Sequence, residues 1–336
     1  MMQTPLISIL IPFKNVAAYF DECILSILSQ TYKNWELIAI NDHSTDNSEQ
    51  LLHSYVTQDS RITCTTNTGK GIIQALQLAY TLSSGIYITR MDADDIMTPN
   101  KLEVMLSSLL KKGKGHIAIG KVEYFCATGV NNGYKRYEEW LNKLTITGSN
   151  FSEIYKECVI PSPCWMLHKN DFEKANAFNP NRYPEDYDLA FRFYKTELQC
   201  IPCNQVLHLW RDYDTRSSRT SAHYAQNYFL DIKLDYFLAL EYKLTHTLIV
   251  WGAGSKGKEI AKKLIHNKTP FLWVCNNPKK IGKDIYNQRL LHFSAISSVK
   301  KSQIIITVAN EEAQKSIRNK LKQFELAAMK DYFFFC

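Results

Sequence analysis

Ile86-Tyr87-Ile88-Thr89-Arg90-Met91-Asp92-Ala93-Asp94-Asp95 is an apolar, β-prone run that ends in three carboxylates. In an extended chain residues i and i+2 point to the same side, so Asp92 and Asp94 face one way from the end of a strand. Like charges placed so closely repel unless a cation lies between them and a further anion. Hard cations such as Mg2+ are commonly held by one or two carboxylates together with the phosphates of a substrate. The plain alternative is an acidic turn ahead of a helix that begins at Thr98-Pro99.

Around this stretch the first 110 residues alternate strand and helix patterns. Residues 6–11, 36–40, 62–65 and 86–91 read as strands, and 19–30, 46–55 and 71–82 as helices. In the last of these, Ile72, Ala75, Leu76 and Ala79 share one face. Repeated β-α units of this length predict an α/β fold with a parallel sheet between helices. Ligands of such sheets bind outside the carboxyl ends of the strands, where the acidic cluster lies. Residues 116–220 are less regular and rich in aromatics, with a helix beginning near Pro184. A new β-α pattern starts at Leu248, with strands over 248–251, 271–275 and 304–308 and helices running to Leu264 and over 312–321. The expected organisation is a domain over 1–220, a connecting helix over 221–244, and a small α/β domain over 245–336.

Lys and Arg exceed Asp and Glu by 40 to 33 in 336 residues, and the excess is dispersed. That charge permits attraction to an anionic membrane surface or to phosphorylated substrates. With no reader motif, nucleic acid is not an expected partner. No apolar run approaches the roughly 18 residues of a membrane-spanning helix. The start of the chain lacks the basic segment and cleavage site of a signal peptide. Nine scattered cysteines suit a reducing cytoplasm. Cys200-Ile201-Pro202-Cys203 has no second pair with which to build a zinc site.

The other strand ends carry Pro12-Phe13-Lys14-Asn15, Asn41-Asp42-His43-Ser44-Thr45-Asp46-Asn47-Ser48 and Asn67-Thr68-Gly69-Lys70-Gly71. They offer carboxylates for a base or ribose, flexible backbone near phosphates, and a metal site. Taken singly, the Asp42–Asp46 stretch also reads as a turn and helix cap, and Gly69 and Gly71 as turn glycines. Taken in order, with Pro180-Asn181-Arg182-Tyr183-Pro184-Glu185-Asp186-Tyr187-Asp188-Leu189-Ala190-Phe191-Arg192 downstream, they resemble the family 2 glycosyltransferases of the GT-A fold, over residues 5–220.

The resemblance implies an inverting transfer from a nucleotide-diphosphate sugar, UDP-linked in most relatives, with Mg2+ or Mn2+. It implies that Pro12, Phe13, Asn15 and Gly71 line the nucleotide pocket and that Asp42 bonds the base. Asp92 then meets the ribose or sugar, Asp94 binds the metal with Asp95 close by, and Arg90 orders these carboxylates. Asp186 becomes the catalytic base, with Glu185 as the alternative within the pair; both acids also suit the first turn of a helix. Trp165, in Pro161-Ser162-Pro163-Cys164-Trp165-Met166, falls beside the acceptor, or else in the core, the commoner place for such a Trp. Many relatives carry Arg-x-His after the catalytic helix, and that His can ligate the metal. Here Trp210-Arg211-Asp212-Tyr213-Asp214-Thr215-Arg216-Ser217-Ser218-Arg219 places Tyr213 at the His position. The metal then rests on Asp94, phosphates and water, or Asp212 or Asp214 substitutes. Arg211, Arg216 and Arg219 neutralise the diphosphate, or form a solvated loop.

In the second domain Gly252-Ala253-Gly254-Ser255-Lys256-Gly257 fits G-x-G-x-x-G between a strand and a helix. A dinucleotide reader usually has an acid after the next strand, and Cys275-Asn276-Asn277-Pro278 has none. The domain resembles the small Rossmann-like modules that accompany some sugar-modifying enzymes. Gly252, Gly254 and Gly257 form a nucleotide or phosphate loop, or the domain is structural and builds a homo-oligomer. The function expected is a cytoplasmic glycosyltransferase of surface-polysaccharide or glycoconjugate synthesis, peripheral on the inner face of the membrane. Its acceptor would be a glycan, a glycolipid or a lipid-linked sugar. The alternatives are a catalytically inactive sugar-nucleotide-binding module and a bifunctional protein with an NAD(P)-binding C-terminal domain.

Overall fold

A computed structural model describes residues 4–220 and 229–336, and for residues 217 and 218 the backbone alone. The described chain divides into two compact units, 4–151 with 159–220 and 152–158 with 229–336.

In the first unit the chain runs β1 (Ile7–Phe13), α1 (Ala17–Leu28), β2 (Trp35–Asn41), α2 (Ser48–Val56), β3 (Ile62–Thr66), α3 (Ile72–Leu82), β4 (Tyr87–Arg90), β5 (Ile96–Met97), α4 (Lys101–Lys112), β6 (His116–Phe125) and α5 (Asn132–Thr147). It continues through β7 (Trp165–His168), α6 (Lys169–Lys174), α7 (Glu185–Lys195), β8 (Gln199–Arg211) and the single turn α8 (Ser217–Thr220). Eight strands form one sheet in the order β3-β2-β1-β4-β7-β6-β8-β5. β3, β2, β1 and β4 are mutually parallel, as the alternating strand and helix patterns predict. β1 is buried everywhere except at Pro12, the mark of a strand covered by helices on both faces.

Register brings the strand ends together. Phe13 lies opposite Asn41, Asn41 opposite Thr66, and Leu10 opposite Arg90. The carboxyl ends of four strands therefore share one edge. The two-residue β5 follows the acidic turn and pairs antiparallel with β8, Ile96 against Leu209 and Met97 against His208. That pairing lays His208–Arg211 along the turn.

The second unit contains α9 (Leu230–Leu240), β9 (Thr247–Trp251), α10 (Ser255–His266), β10 (Leu272–Cys275), β11 (Asp284–Ile285), β12 (Gln288–His292), β13 (Ser302–Ile306), α11 (Glu311–Gln323) and β14 (Tyr332–Phe334). Its sheet has the order β11-β12-β10-β9-β13-β14. All neighbours are parallel except the β11–β12 hairpin. The hairpin and β14 have no counterpart in the sequence expectation, because their runs are too short to show a period.

The units differ from the expected boundaries in two places. Residues 152–158 belong to the second unit, because Tyr155 stacks on Phe335 and meets Phe237 and Phe333 edge-on. The expected connecting helix lies partly outside the described residues. Its described part, α9, buries Leu230, Ile232, Leu234 and Phe237, and Lys233 Nζ donates to the carbonyls of Lys156 and Phe335. α9 is thus a packed member of the second unit.

Candidate active site

The loops after β1 and β2 brace each other. Asn15, at φ +53°, accepts from the Thr45 N–H at 2.7 Å and donates its own N–H to Ser44 Oγ. The first N–H groups of α1 are satisfied by side chains of the neighbouring loop, Val16 N by Ser48 Oγ and Ala17 N by Asp46 Oδ2. The polar run after β2 therefore caps the start of α1. Asp42 is buried, and its Oδ1 accepts from Asn67 Nδ2 and from the Gly71 N–H, both at 2.8 Å. Gly71 sits at φ +95°, a conformation that favours glycine. The other Asp42 oxygen lies 3.9 Å from Lys14 Nζ.

After β4, burial alternates. Asp92 and Asp94 are half-buried, whereas Ala93 and Asp95 are buried, so the first two carboxylates do share a side. The buried guanidinium of Arg90 bonds Asp92 Oδ1 at 3.0 Å and Glu185 Oε1 at 3.0 Å. Burial opposes its charge, but Asp92, Glu185 and Asp186 outweigh that and raise its pKa. Arg90 thereby joins the acidic turn to the first turn of α7. There Glu185 Oε2 is buried without a partner among the described residues. Asp186, half-buried, accepts from the Tyr187 N–H at 2.7 Å. Burial, then the charge of Glu185, pushes the Asp186 carboxyl up to about 7.

Asp94 Oδ2 accepts from the Tyr213 hydroxyl at 2.8 Å. Burial, then Asp95, pushes the Asp94 carboxyl up to about 6. Arg211 Nε donates to the Asp94 carbonyl at 2.7 Å, and its guanidinium lies over Tyr19 and Phe125 and pairs with Glu22. Arg216 lies over Trp210. Burial opposes its charge, but Asp95, Tyr124, Asp94 and Asp92 raise its pKa, so it sets a cation among the acids. Among the described residues no group of three His, Cys, Asp or Glu side chains could hold a metal. Arg90 bonds Asp92 through Oδ1 and Tyr213 bonds Asp94 through Oδ2, and among the described residues no hydrogen bond falls on the other oxygen of either, an arrangement that suits a hard cation completing its shell with phosphates and water.

Buried arginines and clustered carboxylates thus meet at one sheet edge, and the comparisons with known proteins say which family this chain belongs to. The model of Glycosyl transferase family 2 matches residues 8–175, half of the chain. A relative from Escherichia coli, the UDP-Glc:alpha-D-GlcNAc-diphosphoundecaprenol beta-1,3-glucosyltransferase WfgD, is 40% identical over 220 residues, 62% of this chain and 78% of its own. The chain belongs to glycosyltransferase family 2. The fold of this glycosyltransferase is GT-A-like. S. aureus TarS 1-349 in complex with UDP-GlcNAc matches with a TM-score of 0.55 at 15% identity, covering 71% of this chain and 68% of that one. The mannosyltransferase PcManGT from Pyrobaculum calidifontis, in complex with GDP-Man and Mn2+, matches with a TM-score of 0.52 at 15% identity, covering 71% and 64%.

Three residues expected at the glycosyltransferase site lie elsewhere. Trp165 is 1% exposed and packs against Phe172 and Phe193; it is core and offers no face to a sugar. Phe13 is buried against Phe20, so only its backbone reaches the strand edge. Asp95 is 0% exposed; it bonds His208 Nε2 and the Arg211 N–H and cannot touch a donor. Asp212 does not replace the family His either, because Arg219 holds both its oxygens. Lys101, His208, Tyr19 and Glu22 were not singled out in the sequence. Only His208, a lone imidazole in the apolar run Val206-Leu207-His208-Leu209-Trp210, carried a signal.

At the glycine loop of the second unit, Gly252 sits at φ +125°, and a Cβ on Gly257 would meet the Gly252 carbonyl oxygen at 2.1 Å. Gly254 opens onto free space. A cavity of about 310 Å3 lies over the ends of β9 and β10, lined by Gly254, Asn276, Lys280, Val308 and Ile317 among others.

Proposed function

We propose that this glycosyltransferase is inverting and moves a sugar from a UDP-linked donor to the hydroxyl of a glycan, glycolipid or lipid-linked acceptor. The observation that carries this reading is the Arg90 bridge between Asp92 and Glu185, at 3.0 Å to each. It ties the donor turn to the turn that bears Asp186. In the proposed step Asp186 takes the acceptor hydroxyl proton as that oxygen attacks the anomeric carbon. The bond from that carbon to the donor's phosphate oxygen breaks, and the nucleoside diphosphate leaves. A base with a pKa near neutrality suits this task. Asp42, Asn15 and Gly71 shape the nucleotide end of the pocket, and Pro12 is half-buried at the same edge. Asp94, with Asp92, would hold Mg2+ or Mn2+ against the diphosphate, where the ion supplies charge stabilisation for the leaving group.

The name of the relative WfgD, with its diphosphoundecaprenol acceptor, supports a lipid-linked acceptor here. With such an acceptor the protein would work at the inner face of the membrane. No helix among the described residues is long and apolar enough to cross one. The deciding experiment is an NMR assay of sugar transfer with Mn2+ over a panel of nucleotide sugars. A product anomeric configuration opposite to the donor's supports the reading, and retention sinks it. Asp186→Asn should abolish transfer and leave UDP affinity near wild type; normal turnover removes Asp186 from the mechanism.

For the second unit we propose a small phosphate-bearing ligand in the cavity beside Gly252, Gly254 and Gly257. Lys280 is the cation of its lining, and no acid follows β10 to hold the ribose of a dinucleotide. Calorimetry with AMP, UMP and NADH on Asp42→Ala, which disables the first site, tests this; no heat from any of the three refutes it.

A further inference from the structure

Lys101, His208 and Asp95 are each 0% exposed. Lys101 Nζ lies 2.5 Å from the Pro163 carbonyl oxygen and 3.2 Å from His208 Nδ1. His208 Nε2 lies 2.9 Å from Asp95 Oδ2, and Asp95 Oδ1 accepts from the Arg211 N–H at 2.8 Å. With Lys101 as an ammonium, which can only donate, Nδ1 accepts and the imidazole proton sits on Nε2, facing Asp95; burial works against that charge. The chemistry of the two ends fixes the tautomer of the middle.

Burying three ionisable groups is a costly way to fill a core, and apolar residues of similar volume would commonly serve stability as well. Lys101 also sits in the first turn of α4, where a cation opposes the helix dipole. Stability therefore does not account for the chain, but its ends do. One end is the carbonyl of Pro163, in a turn closed by the Cys164 N–H on the Pro161 carbonyl at 2.9 Å. That turn carries Ser162, whose buried hydroxyl has no partner among the described residues. The other end is the Arg211 backbone, whose side chain holds the Asp94 carbonyl.

We propose that Lys101, His208 and Asp95 are positioning residues, a strut that sets the donor-side acidic turn at a fixed distance from the 161–164 loop, on which the Ser162 hydroxyl awaits a ligand. The consequence for turnover rests on the glycosyltransferase reading; the strut itself does not.

The test is Lys101→Met, compared with Leu106→Ala, a core cavity on the same helix chosen for a similar loss of Tm. Lys101→Met should lower kcat about 10- to 100-fold, the scale of a small misplacement of reacting groups, with donor KM little changed. It should also speed hydrogen exchange at the Arg211 amide, which Lys101 does not touch, while Leu106→Ala does not. Lys101→Met combined with Asp95→Asn should be no worse than the poorer single variant, because both break one chain. Wild-type kcat, or unchanged Arg211 exchange, overturns the proposal. If the wild type transfers no sugar, the functional reading fails and the exchange data still decide the strut. Should Lys101→Met not fold, 15N shifts of His208 in the wild type decide: a bare Nδ1 at pH 7 supports the strut, and a protonated Nδ1 overturns it.

Discussion

Asp94 gives one oxygen to the Tyr213 hydroxyl at 2.8 Å, at the position where many relatives place a metal-ligating His. Burial and Asp94 both raise the phenol's pKa, so Tyr213 stays a donor and would compete with the proposed cation for that oxygen. Tyr213→Phe should tighten Mn2+ binding to the UDP-bound protein about 2- to 10-fold, the net worth of one hydrogen bond. Unchanged calorimetry would remove Tyr213 from the metal site. Asp186 makes a prediction of its own. A base works only when deprotonated, so kcat should fall about tenfold for each pH unit below its pKa, which is about 7. A flat profile down to pH 5 would contradict its role. At this scale, the residues the sequence singles out include Asp92 and Glu185, which the structure joins through Arg90. The i and i+2 spacing already sets Asp94 on the side of Asp92. That Asp95 is fully buried follows from the pairing of β5 with β8, which lays His208 and Arg211 against it.

The strands and helices of the first 110 residues were legible because each buries a face with a clear period. β8 was not, since its run 199–211 mixes polar and aromatic residues with no period, yet it delivers His208, Arg211 and the approach to Tyr213. Trp165 shows the same limit from the other side. Its place in the family order suggested a sugar platform, whereas β7 lies between β4 and β6 and turns the indole into the core. Trp165→Ala should cost about 3–5 kcal/mol in urea unfolding, as large core truncations do. Small loss of stability with a raised acceptor KM would restore the acceptor role. Gly71→Ala should weaken UDP binding and destabilise modestly, by about 1 kcal/mol, because φ +95° is strained for any side chain although the space is open. An unchanged Tm and affinity would show that the loop can flatten.

At the scale of the whole molecule, the described residues form two sheets, and each has its own core. Most of the match to glycosyltransferase family 2 falls in the first. In the second, Gly257→Val would drive a side chain into the Gly252 carbonyl, 2.1 Å from where its Cβ must stand. It should lower the unfolding midpoint of the second unit and spare UDP binding by the first; equal loss of both would show that the units unfold as one.

By itself the sequence determined the fold class and the order of the strand ends, since periodicity and turn chemistry are local properties. It also determined the acidic turn and the acidic helix start, because motif order survives without coordinates. Tertiary structure alone decided which carboxylates of the acidic turn are buried and that Trp165 and Phe13 are core. It decided equally that residues 152–158 pack with the second unit and that Lys101 reaches Asp95 through His208. Those facts depend on contacts between residues far apart in the chain, and no local pattern encodes them.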